Sequence, residues 1–224
     1  MTRSVGKNTI KRVALVNPYP YYAGGINEAT IYPPLGLASI AAVLEKNGFT
    51  CKIIDANVLH LVPDKVYEDL KIFNPEIVGI YLNVVTARSG IELSKKIKEN
   101  SQIKVVLGGP FVPERLDRLL DKSKADIFVQ GEAEITFLEI CQGKKNEKID
   151  GIMYMEKNKL ITNTPRELIA NIDELPYAAY HLLPKLSLYS SRSRKKPIAP
   201  IFTSRGCPYK CTFCSNNVFH NIFS

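Results

Sequence analysis

The stretch Lys104-Val105-Val106-Leu107-Gly108-Gly109-Pro110 decides the fold. Three apolar residues run without polar alternation and stop on two glycines and a proline. A strand buried on both faces of a parallel sheet has this pattern, with a tight turn directly after it. The same grammar recurs on either side. Residues 12–16, 51–55, 77–82 and 126–129 are rich in Val and Ile and nearly continuous in apolar character. Helical patterns fall between them, at 34–47, 64–73, 86–100, 114–122 and 133–142. In the first, Leu37, Ile40, Ala41 and Leu44 recur at 3–4 spacing, Pro33-Pro34 opens the helix and Asn47-Gly48 closes it. Five strand–helix units in succession predict an α/β fold over residues 1–150. It is a doubly wound, five-stranded parallel sheet of flavodoxin-like or Rossmann-like kind, in strand order 2-1-3-4-5.

The pattern changes at Gly151. Ile152-Met153-Tyr154-Met155 and Leu160-Ile161-Thr162 flank Glu156-Lys157-Asn158-Lys159, which predicts a small β-hairpin. Residues 163–200 contain Pro165, Pro176, Pro184, Pro197 and Pro200 and have the composition of a linker wrapping between domains, open to proteases. Hairpin and linker together occupy 151–197. Residues 198–204 carry the pattern of one last strand, and a cysteine cluster follows at once.

Composition excludes several classes. Hydrophobic residues make up 45% of the 224 and charged residues 23%, which suits a packed domain and not wholesale disorder. No apolar run approaches the ~18 residues needed to cross a bilayer. The first ten residues lack the apolar stretch of a signal peptide, so a cytoplasmic protein without membrane partners is expected. The net charge of +8 is unevenly spread: from Leu175 onward there are seven cations and no Asp or Glu. The basicity therefore belongs to the tail, and nucleic acid is an unfavoured partner.

Three of the five cysteines lie in Ser204-Arg205-Gly206-Cys207-Pro208-Tyr209-Lys210-Cys211-Thr212-Phe213-Cys214. Without a secretion signal, such clustering favours metal over disulfides. An iron–sulfur cube ordinarily takes four thiolates, so Cys207, Cys211 and Cys214 would leave one iron open to another ligand. A zinc site completed by His220, with the basic tail on nucleic acid, is the rival reading. Cys51 opens a strand and Cys141 ends a helix, and both have the look of plain packing residues. His60 and His181 sit in unrelated contexts, as surface or packing residues.

The C-x3-C-x2-C spacing, with an aromatic residue before the third cysteine, resembles the radical S-adenosylmethionine superfamily. Upstream phrases resemble the cobalamin-binding domain that precedes one large class of it: Pro33-Pro34-Leu35-Gly36-Leu37-Ala38-Ser39-Ile40-Ala41, Leu107-Gly108-Gly109-Pro110, Asp126-Ile127-Phe128-Val129-Gln130-Gly131-Glu132 and Leu175-Pro176-Tyr177-Ala178-Ala179-Tyr180. The likeness runs from about residue 11 to 217. It implies a [4Fe-4S] cluster on Cys207, Cys211 and Cys214, whose open iron chelates S-adenosyl-L-methionine. It also implies reductive cleavage to a 5′-deoxyadenosyl radical, and Phe213 beside the adenine. The activity implied is methyl transfer to, or radical modification of, an unactivated carbon of a small-molecule substrate, with a porphyrin-cyclase branch among the relatives. The electron donor would be a ferredoxin or flavodoxin. The alternative is a module that binds a corrinoid or a partner and does no chemistry alone.

A ligand in a doubly wound fold sits where strand order reverses. The expected rim comprises residues 17–25, 83–86, 108–110 and 130–132. Gly108, Gly109 and Gly131 would let backbone approach a bulky ligand, and Asn83 and Thr86 would bond its polar tail. Ordinary turn chemistry is the competing account of the glycines. Many cobalamin domains carry D-x-H-x-x-G after the first strand. Here that loop is Asn17-Pro18-Tyr19-Pro20-Tyr21-Tyr22-Ala23-Gly24-Gly25, with neither Asp nor His. Cobalamin is therefore expected without a protein His on cobalt, the tyrosines packing against it. Residues 198–224 would be only the start of a radical S-adenosylmethionine partial barrel. The expectation is a truncated or split enzyme, inactive alone, whose barrel a second chain would supply.

Overall fold

The computed structural model describes residues 11–21, 31–111, 116–189, 195–206, 209, 211 and 212. Strand β1 (Arg12–Asn17) is followed by helix α1 (Leu35–Lys46), β2 (Thr50–Asp55) and α2 (Pro63–Phe73). Then come β3 (Ile77–Tyr81), α3 (Ala87–Asn100), β4 (Lys104–Gly108), α4 (Leu116–Ser123), β5 (Ile127–Val129) and α5 (Glu134–Cys141). Each of the five strands and five helices predicted for residues 1–150 is present to within two residues of its expected bounds. The strands lie in the order β2-β1-β3-β4-β5 and every neighbouring pair among them is parallel. The order reverses between β1 and β3.

Alternation along the strands builds two cores. Val13 and Leu15 of β1 point to the face covered by α1 and α5, while Ala14 and Val16 point to the face covered by α2, α3 and α4. All four are fully buried, which accounts for the missing polar alternation in sequence. Asp126 begins no strand. Its carboxylate accepts from the Val105 amide at 2.7 Å and from Lys98 at 3.0 Å, which ties the entry of β5 to β4 and α3.

Two expectations are corrected. The hairpin does not stand apart from the sheet. Its strands, β6 (Ile152–Glu156) and β7 (Lys159–Thr162), continue the sheet antiparallel, giving seven strands of mixed direction. The reason lies in β5, whose three residues would otherwise present an open edge; Ile152 pairs with Val129 and is itself fully buried. Lys157 and Asn158 both take positive φ, as a two-residue type I′ turn requires. The second correction concerns residues 198–204. They form no strand and pair with no other strand among the described residues. A strand exists through its ladder, and Pro197 and Pro200 each lack a donor.

The segment read as a linker is anchored along much of its length. It makes short 3₁₀ turns at Ile172–Glu174, Tyr180–Leu182 and Leu186–Leu188. The Ala179 amide donates to Ala38 O at 2.9 Å. Tyr189 is 1% exposed, and its hydroxyl donates to Asp55 Oδ2 at 2.8 Å. Residues 163–189 thus close over the α1 side and reach the end of β2. Among the described residues no helix is long and apolar enough to cross a membrane.

Candidate functional site

The loops leaving the carboxyl ends of β1, β3, β4 and β5 surround a cleft of about 1370 Å³. Tyr19, Pro20 and Tyr21 follow β1 on its rim, and Asn83 to Thr86 follow β3 on the same side. Gly108-Gly109 and Gly131-Glu132 contribute from β4 and β5. Facing them are the start of α1 and the segment holding Ile201, Phe202, Arg205 and Gly206. On the side of the sheet covered by α1 and α5, the cleft has an apolar lining that includes Leu15, Ile40, Gly79, Val106 and Phe137. Gly79 lets the Phe137 ring and Leu15 pack directly on β3: a Cβ there would lie 2.7 Å from the ring and 2.8 Å from the Leu15 side chain.

Asn83, Thr86, Gly108, Gly109 and Gly131, singled out in the sequence, all line the cleft, but they serve it differently. Asn83 Oδ1 accepts from the amides of Val85 and Thr86, each at 2.9 Å, and Thr86 Oγ1 accepts from the Asn83 amide at 2.9 Å. Thr86 is buried. These side chains complete a turn that starts α3, so they shape the rim with their polar groups already partnered. Gly109, at φ +116°, is required by packing: a Cβ would lie 2.4 Å from Leu82 O and 2.9 Å from the Tyr81 ring. At Gly131, φ is +83° and nothing lies within 4 Å of the Cβ position, so the absent side chain opens onto free space. Gly108 would make only ordinary contact, 3.5 Å from Val129 O.

Of the tyrosines after β1, Tyr19 has its carbonyl held by Ser89 Oγ, and Tyr21 lies under the Arg88 guanidinium at 5.5 Å. Burial, followed by the nearby Glu92 carboxylate, pushes the Tyr21 phenol upward. Residues 22–25 of this loop lie outside the described residues. His60, read from sequence as unconnected, lines the cleft and meets Tyr19 edge-on at 5.6 Å between ring centroids. The turn after β2 brings it there, and nothing in its local sequence announces the contact. His181 stays outside, 3.0 Å from Glu45.

Two polar hubs at the cleft were not anticipated. In the first, fully buried Asp55 accepts from Asn17 Nδ2 and the Tyr189 hydroxyl, both at 2.8 Å. Burial raises the Asp55 carboxyl above its ordinary value, with the bonds from Tyr189 and Asn17 opposing. Burial and the carboxylate beside it push the Tyr189 phenol far up. In the second, Arg205 donates from Nη1 to Glu132 Oε1 at 2.9 Å and from Nη2 to Glu134 Oε1 at 2.7 Å. Burial works against the guanidinium charge, but Glu134 and Glu132 outweigh it and the Arg205 pKa rises. The available signal was the Gly131-Glu132-Ala133-Glu134 run after β5, with an unpaired-looking arginine in the acid-free tail.

Of the cysteine loop, Cys211 is exposed, while Cys207, Phe213 and Cys214 lie outside the described residues, as does His220. Among the described residues no group of three His, Cys, Asp or Glu is gathered for a metal. Cys51 and Cys141 are buried free thiols. Burial, then Glu45, pushes Cys51 up to about 12, which suppresses the reactive thiolate.

A doubly wound sheet with a wide, largely apolar cleft over its carboxyl edge has the architecture of a ligand-binding domain. The chain belongs to the B12-binding domain family, whose model matches residues 23–141. It is 36% identical over 199 residues to an uncharacterized methyltransferase of Pyrococcus horikoshii, covering 84% of this chain and 42% of that one. The anaerobic magnesium-protoporphyrin IX monomethyl ester cyclase of Rubrivivax gelatinosus is 30% identical over 217 residues, 91% of this chain and 38% of its own. The chain thus spans less than half the length of either relative. Its fold is similar to part of the radical S-adenosylmethionine methyltransferase TsrM from Kitasatospora setae, solved with cobalamin and a [4Fe-4S] cluster. The TM-score is 0.67 at 18% identity, over 95% of this chain and 42% of that one.

Proposed function

We propose that this chain holds the corrinoid and the cluster-ligating loop of a cobalamin-dependent radical S-adenosylmethionine enzyme. Such an enzyme would methylate, or otherwise modify by radical chemistry, an unactivated carbon of a small molecule. One observation carries the reading: the segment entering the cysteine loop, through Arg205 and Gly206, walls the same cleft that the B12-binding loops surround. The cleft fits a corrinoid on its own geometry. Gly131 leaves backbone open to close approach, Tyr19 and Tyr21 offer aromatic surface, and Leu15, Ile40 and Val106 give the cleft an apolar lining. Bound there, a corrinoid supplies a transferable methyl group, and a cluster on Cys207, Cys211 and Cys214 supplies an open iron for S-adenosyl-L-methionine. Phe213 would flank the adenine. A ferredoxin or flavodoxin would provide the electron. The domains proposed are 1–150 for the corrinoid, 151–197 as connection and 198–224 as the start of the radical unit.

No protein histidine is assigned to cobalt. His60 is the histidine on the cleft among the described residues, and its ring is engaged edge-on with Tyr19. The test is anaerobic reconstitution with hydroxocobalamin, iron and sulfide. Expected are one corrinoid per chain, an absorption spectrum unchanged by His60→Ala, and loss of the iron when Cys207, Cys211 and Cys214 are all replaced by Ala. Full iron retention in the triple variant, or a corrinoid spectrum that shifts with His60→Ala, overturns the corresponding half of the proposal.

A further inference from the structure

The segment 200–206 lies against the cleft with little apolar packing of its own. Ile201 is 76% and Phe202 56% exposed. Polar tethers hold it instead. The Tyr180 hydroxyl donates to Pro200 O at one end, and Arg205 forks onto Glu132 and Glu134 at the other. The Arg205 end is the more deeply set, its side chain being 18% exposed against 13% for Glu132 and 6% for Glu134. The two carboxylates are themselves fixed. Glu134 Oε1 also accepts from Ser39 Oγ at 2.8 Å, and Glu132 Oε2 accepts from the Ile169 amide at 2.7 Å. One guanidinium therefore gathers α1, the start of α5, the anchored connection and the last residues before the cysteines. Gly206, at φ +81°, turns the chain immediately beyond it. Without Arg205, two carboxylates would face each other in a confined space with their cation gone, and nothing apolar would keep the segment in place.

We infer that Arg205 is a positioning residue: its fork on Glu132 and Glu134 fixes residues 200–206 as the second wall of the corrinoid cleft, and corrinoid affinity depends on that fixation. The inference rests on the corrinoid reading above. Bidentate geometry is specific to arginine, so lysine should serve only in part.

The test compares the wild-type chain with Arg205→Met, Arg205→Lys and Glu132→Gln, and with Leu93→Ala as a control. Leu93 is buried in the core on the opposite side of the sheet, so its truncation loosens the fold away from the cleft. Two quantities are read: the dissociation constant for hydroxocobalamin, and the rate of chymotryptic cleavage after Phe202 in the corrinoid-free chain. Arg205→Met should raise both about tenfold, with Arg205→Lys and Glu132→Gln in between. Leu93→Ala should keep wild-type affinity despite its lower stability. Wild-type affinity and cleavage in Arg205→Met overturn the inference. If Arg205→Met does not fold, the two milder variants decide it, and wild-type values in both refute it. Should the wild-type chain itself take up no hydroxocobalamin, the corrinoid reading falls, and the cleavage rates still decide whether Arg205 holds the wall.

Discussion

Asp55 shows how a single side chain ties the stability of this molecule to pH. Its carboxyl has no solvent exposure, and burial raises its affinity for a proton above that in the unfolded chain. Between the ordinary carboxyl value of about 3.9 and the raised folded one, the native state keeps a proton that the unfolded state has released. Native stability from this group is therefore greatest in acid and is lost as pH rises through the folded value. Asp55→Asn retains an acceptor for Asn17 and a partner for Tyr189 but cannot titrate. In urea unfolding from pH 4 upward, the wild type's advantage over Asp55→Asn should shrink as pH rises and level off above the folded value. A constant or widening gap would refute the assignment. This residue was invisible in the sequence reading for a physical reason. An aspartate ending a strand is common chemistry, and its partner Tyr189 lies 134 positions away. Glu134 and Arg205, 71 positions apart, were hidden in the same way.

Among the elements, those with a strong local pattern were legible. Continuous Val and Ile runs fixed five strands, and 3–4 spacing fixed five helices, because burial on one or both faces is written into consecutive residues. What failed was anything decided by a neighbour. The hairpin was recognised from its turn, but its docking on β5 depends on a sheet edge that only the assembled fold presents. The stretch 198–204 has strand composition, and composition does not provide a ladder. The rim loops occupy a middle position: their glycines were found, but Asn83 and Thr86 proved to be bonded to each other's backbone. The junction after β4 offers a sharp test of the packing account. Gly109→Ala would place its Cβ 2.4 Å from Leu82 O, at a φ that side chains rarely adopt. The loops after β3 and β4 would have to part, at a cost of about 1–3 kcal/mol. Thermal unfolding should show that loss, whereas Gly131→Ala, whose Cβ meets nothing within 4 Å, should lose only the strain of its φ. Equal losses in the two variants would contradict the account.

At the scale of the whole molecule, the unit that folds together extends past the pattern that announced it. The predicted α/β unit ends at residue 150, yet β6 covers the edge of β5, Ala179 bonds to α1, and Tyr189 completes the Asp55 hub. A chain ending at 189 keeps all three features, and a chain ending at 150 keeps none. Loss of one buried aromatic alone is worth about 3–5 kcal/mol. The urea midpoint of the shorter chain should therefore fall well below that of the longer, and coincident midpoints would restore the smaller unit. The Tyr189–Asp55 bond also has a consequence in time. At the ribosome's pace of about 5–20 residues per second, Tyr189 emerges on the order of ten seconds after Asp55. For that interval the nascent sheet carries a carboxylate that the finished protein seals from water, so the corner where β1 and β2 end can set only when the late tyrosine arrives.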